Sequence, residues 1–162
     1  MTAVTPDAAR ELLLFHSGAH PDVHDPRWEQ GFLGMLRPYR GLRAENFHSV
    51  MACLRALTDD LQGDDVDRGV IGALWGICHF GRAWGTWPGG MLRGNNLITD
   101  DDVSRLESWV EQISYTTFCT STVRSTRHST STTGTSDLGY QALPGPPVTF
   151  PVPQAVEFAT VG

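Results

Sequence analysis

The sequence predicts an all-α protein: a single compact domain of about five helices, followed by a Ser/Thr- and Pro-rich C-terminal tail that we expect to be disordered. Apolar residues recur at three- and four-residue spacing through the first two thirds of the chain, and no strand-like segments alternate with them. After Tyr115 the composition changes abruptly to serine and threonine. We therefore assign residues 1–117 to a helical domain and residues 118–162 to a low-complexity tail.

Two helices are predicted near the N-terminus. The first begins at Thr5-Pro6-Asp7, which offers a capping hydroxyl, a proline at the first helical position and an acid. It can end at Gly18, because glycine readily adopts the left-handed conformation that caps helices. The second helix is predicted over residues 25–38, where the apolar residues at helical spacing are Trp28, Phe32, Leu33 and Leu36.

Three further helices are predicted before the tail. The third runs from about Ala44 to Leu61 and carries one continuous apolar stripe. The fourth, around residues 70–80, is apolar over much of its circumference, so we expect it to be the central helix. The fifth begins at Thr99, where a hydroxyl and three following aspartates suit the positive end of a helix dipole.

The fourth helix is rich in glycine. Each glycine inside a helix costs roughly 1 kcal/mol relative to alanine. We therefore expect another element to pack closely against the backbone there. Gly72 and Gly76 lie one turn apart and would share that face. The glycines of this segment are Gly69, Gly72, Gly76, Gly81 and Gly85.

Charge and composition exclude several classes of function. All twelve basic residues are arginine, so a Schiff-base lysine and a Walker A lysine are excluded. With a formal net charge of −6 and no basic cluster, the chain is a poor candidate for binding nucleic acid or an anionic membrane. No apolar run approaches the ~18 residues of a membrane span. The N-terminus does not resemble a signal peptide, and the three cysteines suit reduced thiols, so we expect a cytoplasmic protein.

The stretch HSGAHPDVHD, residues 16–25, holds three of the six histidines and is a candidate metal site. A divalent metal there would acidify a bound water, and no other cofactor is predicted. Proline and glycine interrupt the stretch, so the histidines cannot share one helix face, and the spacing matches no standard zinc motif. The alternative is a histidine-rich turn between two helices. The candidate ligands are His16, His20, His24 and Asp25.

Segment 78–96 is a candidate ligand pocket. Arginine forks bind carboxylate or phosphate, and indole rings supply apolar walls, so this composition suits a polar or anionic ligand. The alternative is a helix end whose tryptophans close the core before two turns. The predicted ligand-binding residues are His79, Arg82, Trp84, Trp87, Arg93, Asn95 and Asn96.

The tail offers one further candidate binding element. Residues 143–153, LPGPPVTFPVP, include a PxxP unit from Pro144 to Pro147. Such units favour the polyproline II conformation and dock into aromatic-lined grooves. The alternative is that a proline-rich composition produces a PxxP pattern without any role in binding.

No complete catalytic constellation is visible in the sequence. Cys78 and His79 are adjacent, so on a helix they point about 100° apart and cannot pair with each other. A GxSxG elbow, a GxGxxG fingerprint and a P-loop are absent from the chain. We therefore predict a small helical binding or regulatory module, for a protein partner or a small polar or anionic ligand, rather than an enzyme. The alternatives are a metal-dependent hydrolase or metal-binding protein using the histidine stretch, and an assembly component that oligomerises through the glycine-rich helix.

Overall fold

The computed structural model describes residues 4–122, and within this range every regular element is helical, which confirms the predicted fold class. A 3₁₀ turn lies at Gly34–Leu36 and a π-helical segment at Gly81–Thr86. The α-helices are α1 (Pro6–Ser17), α2 (Arg27–Gln30), α3 (Ala44–Ala56), α4 (Thr58–Gln62), α5 (Arg68–Phe80), α6 (Met91–Gly94) and α7 (Asp100–Thr122).

Both predicted ends of α1 are confirmed. The Thr5 side chain accepts a hydrogen bond from the backbone N–H of Ala8 at 3.4 Å. At the other end Gly18 has a φ of 68° and a ψ of 18°, and its N–H is directed to the carbonyls of Leu14 and Phe15. This left-handed cap turns the chain sharply after the helix, so the histidine stretch begins inside α1 and leaves it.

The predicted second helix is wrong, because the chain forms only the single turn α2 and then the 3₁₀ turn. The backbone N–H of Phe32 donates to Nδ1 of His16 at 3.1 Å, and the N–H of Leu33 donates to the His16 carbonyl at 2.9 Å. These contacts use two backbone N–H groups that would form hydrogen bonds within the helix if it were longer. A Cβ atom on Gly31 would lie 2.5 Å from the Phe15 carbonyl, so this segment packs directly on the end of α1.

The third and fifth predicted helices form with changed boundaries. The third is divided at Leu57 into α3 and α4, beside a Thr58 hydroxyl that donates to the Leu54 carbonyl at 3.2 Å. The fifth begins as predicted, with Thr99 Oγ1 accepting from the Asp102 N–H at 3.2 Å. It continues to Thr122, so residues 118–122 are helical and do not belong to the predicted tail. The rest of the predicted tail, residues 123–162, lies outside the described residues.

The core is built around α5, as expected, with α1 packed on one part of it and α7 on another. No helix within residues 4–122 combines the length and the apolar character that crossing a bilayer would require. The fully buried side chains of this core include Leu13, Phe32, Leu54, Ile77 and Leu106.

Close packing against the glycines of α5 occurs later in the chain than predicted. Nothing lies within 4 Å of a Cβ atom built on Gly72, so the prediction is wrong at that position. A Cβ atom on Gly81 would instead lie 2.8 Å from Cγ2 of Val110, and one on Gly85 would collide with Leu106. The glycines that permit close approach are therefore those where the π-helical segment meets α7.

The replacement Gly72→Ala should raise the free energy of unfolding by roughly 1 kcal/mol, because alanine favours the helix and has open space there. Gly85→Ala should lower it by roughly 1–3 kcal/mol through overpacking against Leu106. Urea unfolding followed by circular dichroism measures both changes. A destabilised Gly72→Ala protein would mean that an unseen contact covers this face.

Candidate functional site

α5 and the π-helical segment after it carry a continuous row of aromatic rings. Trp75 stacks on His79 with ring centroids 4.5 Å apart, His79 lies 5.1 Å from Phe80, and Phe80 lies 4.9 Å from Trp84. We call these four residues the aromatic ridge. Trp75 is 61% exposed, although it stands on the central helix of the core. Large aromatic surfaces left open to water in this way mark interaction sites.

Local sequence explains why the ridge stays at the surface. Gly81 and Gly85 occupy the contact between the π-helical segment and α7. The larger side chains of the same segment are consequently kept outside this contact, with Arg82 exposed and Trp84 half-buried. Short π-helical insertions of this kind occur frequently at functional sites.

An open groove of about 400 Å³ lies between α5 and α7, and we call it the α5–α7 groove. Phe118, on the α7 side, is 65% exposed, and Ile71, on the α5 side, is 41% exposed. Tyr115, three residues before Phe118 on α7, is 69% exposed and lines an adjoining depression. The groove is mainly apolar, and the residues that line it include Ile71, Trp75, Cys78, His79, Arg82, Ser114, Thr117 and Phe118.

A second depression, of about 340 Å³, is lined by the other two members of the ridge, Phe80 and Trp84. We call it the Trp84 pocket. The guanidinium carbon of Arg37 lies 5.8 Å from the Trp84 ring centroid, within the range of a cation–π interaction. The pocket also includes Trp28, whose indole N–H donates to the Gly18 carbonyl at 3.3 Å. The ridge therefore contributes to two apolar depressions, each with one arginine.

The predicted ligand-binding residues divide into two groups. His79 and Arg82 line the α5–α7 groove, and Trp84 lines the pocket named after it. Trp87 is 66% exposed in the turn that follows and lines neither depression.

The remaining predicted residues stabilise a turn instead of a pocket. Arg93 donates to the Thr86 carbonyl at 3.3 Å and lies 3.8 Å from an Asp100 carboxylate oxygen. Asn95 Nδ2 donates to the Met91 carbonyl at 2.7 Å, and Asn96 adopts a positive φ of 54°. The structure does not bring Arg93, Asn95 and Asn96 into the groove beside His79 and Arg82.

The sequence interpretation missed four residues of the groove and the adjoining depression: Ile71, Trp75, Tyr115 and Phe118. Ile71 and Trp75 lie on the helix predicted to be central, and Phe118 lies in the segment predicted to be the tail. One signal was available, because α5 carries more large apolar residues than a single buried stripe accommodates. Tyr115 and Phe118 likewise continue α7 beyond its buried residues, the last of which is Ile113.

His16 is a buried structural residue. Its Nδ1 accepts the Phe32 N–H, so Nε2 carries the proton and donates to Ser49 Oγ at 2.9 Å. Burial lowers the pKa of His16 to about 4. With both ring nitrogens bound to protein groups, His16 joins α1, α3 and the segment after α2, and neither nitrogen is open to a metal ion.

The other residues of the histidine stretch point to separate partners. His20 stacks on Phe15 with centroids 3.9 Å apart, and its Nδ1 accepts the Asp22 N–H at 3.1 Å. Hydrogen bonds from Arg27 lower the pKa of Asp25, and the two side chains meet at 2.8 Å. In the part of the chain that the structure describes, no three His, Cys, Asp or Glu residues form a group able to hold a metal ion. His16, His20, His24 and Asp25 are therefore not brought together as a ligand set.

Comparison with known proteins gives no relatives: no family model, no curated protein and no solved structure matches the chain. Within residues 4–122 the aromatic ridge and its two depressions are the strongest candidate for a functional site. Their chemistry suits apolar and aromatic groups, while Arg82 and Arg37 offer hydrogen-bond donors at the edges.

Proposed function

We propose that this protein is a non-catalytic binding module whose α5–α7 groove takes up an apolar segment, rich in proline or aromatic residues, of a protein partner. The observation that carries the proposal is the exposure of Trp75 and Phe118 on the two sides of the groove, by 61% and 65%, with Tyr115 exposed by 69% in the adjoining depression. Binding energy in protein interfaces concentrates in residues such as tryptophan and tyrosine. A cluster of this kind on a small protein favours recognition of another chain.

The character of the groove favours a peptide over a small polar ligand. It is open to solvent between two helices, and most of its exposed surface is apolar, although His79, Arg82, Ser114 and Thr117 also line it. Sites for small polar molecules need several polar groups converging on the ligand. An extended segment can instead place apolar side chains in the groove and against the ridge. Its backbone carbonyls can accept hydrogen bonds from Arg82.

The thiol in the groove supports a non-catalytic role. Cys78 is buried, and burial raises its pKa, which opposes formation of the reactive thiolate. The neighbouring His79 stacks on Trp75, and the Cys78 thiol is directed to the Val110 carbonyl at 4.0 Å. A cysteine nucleophile needs a lowered pKa and an adjacent base.

The proposed setting is the cytoplasm, with neither nucleic acid nor a membrane among the partners. Cys53, Cys78 and Cys119 are free thiols, which suits a reducing compartment. Several arginines are engaged with carboxylates, for example Arg10 with Asp60 at 2.6 Å. Such pairing leaves less positive charge for phosphate groups, which agrees with the acidic net charge of −6.

Trp75 should dominate binding at the groove. Peptides selected on the full-length chain from a random library should be enriched in proline and aromatic residues. Trp75→Ala should weaken their binding at least about tenfold, as expected for an aromatic hot spot. The matched control is Trp87→Ala, because Trp87 is equally exposed, by 66%, but does not line the groove. Equal losses in the two variants, or no selectable peptide, would contradict the proposal.

A second candidate function is self-association through α5. A Cβ atom on Gly72 would contact nothing within 4 Å, and the exposed Ile71 and Trp75 stand beside it on the same helix. A glycine at a helix surface lets a second backbone approach closely. If the protein associates with itself in this way, its NMR spectrum should change with protein concentration.

A further inference from the structure

We propose that the chain's own proline-rich segment, residues 143–153, occupies the α5–α7 groove and competes there with partner peptides. This inference rests on the proposed function, and it names a segment of the chain itself as a ligand of the same groove. The segment, LPGPPVTFPVP, lies outside the described residues. The proposal rests on two features of one polypeptide: an open groove with aromatic walls and a proline-rich sequence.

The chemistry of the two surfaces is complementary. Polyproline II segments bind in aromatic-lined grooves because their backbone is already extended and little entropy is lost. The groove supplies the exposed rings of Trp75 and Phe118. The segment supplies five prolines and Phe150, and it contains no charged residue, which matches a mainly apolar groove. Because polyproline II carbonyls have no internal partners, they can accept hydrogen bonds from Arg82.

Covalent attachment brings the segment to the groove. α7 ends at Thr122, four residues after Phe118. The 20 residues from 123 to 142 separate that end from the segment. A chain of this length can reach at most about 66–72 Å, whereas the α5 side of the groove from Ile71 to Arg82 is about 16 Å long. The whole groove is therefore within reach.

Tethering also favours this occupant over a second copy. A segment held by a short linker has an effective concentration on the order of 1 mM. A second copy or a foreign partner must reach a similar concentration in solution to compete equally. If the free segment binds with a dissociation constant of about 0.1 mM, tethering makes it occupy the groove about ten to one. Partner peptides would then bind the intact chain about tenfold more weakly than a chain with an impaired segment.

The test uses the full-length chain carrying Pro144→Ser, Pro147→Ser and Phe150→Ser together, called here the segment variant. Phe158→Ser is the matched control, because Phe158 lies in the same region but outside the segment. The readout is the indole N–H resonance of Trp75, identified by its loss in Trp75→Phe. We expect this resonance to shift in the segment variant and not in the control. A synthetic peptide of residues 143–153 should return it towards its original position.

The affinity of a library-selected peptide gives an independent second readout. It should be about tenfold higher for the segment variant than for the wild-type chain and the control. An unchanged Trp75 resonance with unchanged affinity would overturn the inference while leaving the proposed function standing. If the position of the Trp75 resonance depends on protein concentration and not on the segment, the inference is also overturned. A second copy of the chain would then be the occupant of the groove. Absence of any Trp75-dependent peptide binding to either chain would instead reject the proposed function.

Discussion

Replacing His16 with glutamine should lower the free energy of unfolding by roughly 2 kcal/mol at pH 7.5, because one buried and one partly buried hydrogen bond lose their shared partner. Nδ1 of His16 is the acceptor for the buried Phe32 N–H, and Nε2 reaches Ser49. A glutamine cannot place its two polar atoms at both positions in the same geometry. The segment after α2 then loses a hydrogen bond that holds it against α1.

The same replacement should remove part of the pH dependence of stability. The pKa of His16 is lowered from 6.5 to about 4 in the folded protein. As the pH falls through 6.5 the unfolded chain takes up a proton on His16, whereas the folded chain does so only near pH 4. The unfolded state thus binds more protons in this window, so wild-type stability falls by up to about 3 kcal/mol as the pH falls.

Urea unfolding at several pH values between 7.5 and 4 measures this difference. The stability advantage of the wild type over His16→Gln should be largest above pH 6.5, should shrink below it, and should be lost or reversed as the pH approaches 4. Carboxylates titrate in both proteins, so the difference between the two curves isolates His16. His24→Gln is the control, since His24 is exposed, and it should follow the wild-type curve. Parallel curves for the wild type and His16→Gln would show that His16 is not buried in its neutral form.

Gly34→Ala should lower the free energy of unfolding by more than about 3 kcal/mol, because the added Cβ atom meets backbone that cannot move aside. It would collide with the Trp28 carbonyl oxygen and lie 2.7 Å from the Glu29 carbonyl oxygen. The Trp28 carbonyl accepts the N–H of Gly31 at 3.3 Å, so displacing it would also break α2.

Gly89→Ala is the matched control for this replacement. Nothing lies within 4 Å of a Cβ atom on Gly89, so its effect should stay within about 0.5 kcal/mol. Circular dichroism with urea unfolding distinguishes the two variants. A Gly34→Ala protein as stable as the wild type would mean that the turn after α2 does not pack on the helix as the structure has it.

The elements predicted correctly are those whose ends are determined by neighbouring residues. Thr5 and Gly18 specify α1 through local hydrogen bonds and backbone conformation, and Thr99 does the same for the start of α7. The second predicted helix fails for a long-range reason, since His16 binds the N–H groups of residues 32 and 33. The spacing of apolar residues along the chain gives no information about that long-range contact.

The site was predicted only in part, for a related reason. The composition of segment 78–96 drew attention to His79 and Arg82, and both line the α5–α7 groove. It could not reveal that α7 supplies the opposite wall, because the serine- and threonine-rich sequence around Phe118 suggested a tail. Nor could it place Arg93, which pairs with Asp100 across the turn. Long-range packing decides which exposed aromatic residues share one groove.

The most direct test of the central claim is a map of the contacts between the full-length chain and a library-selected peptide, obtained from intermolecular nuclear Overhauser effects. The account predicts effects from the peptide to Ile71, Trp75 and Phe118, which border the α5–α7 groove. Nuclear Overhauser effects confined to exposed apolar residues elsewhere, such as Val23, Trp87 or Leu97, would contradict this account.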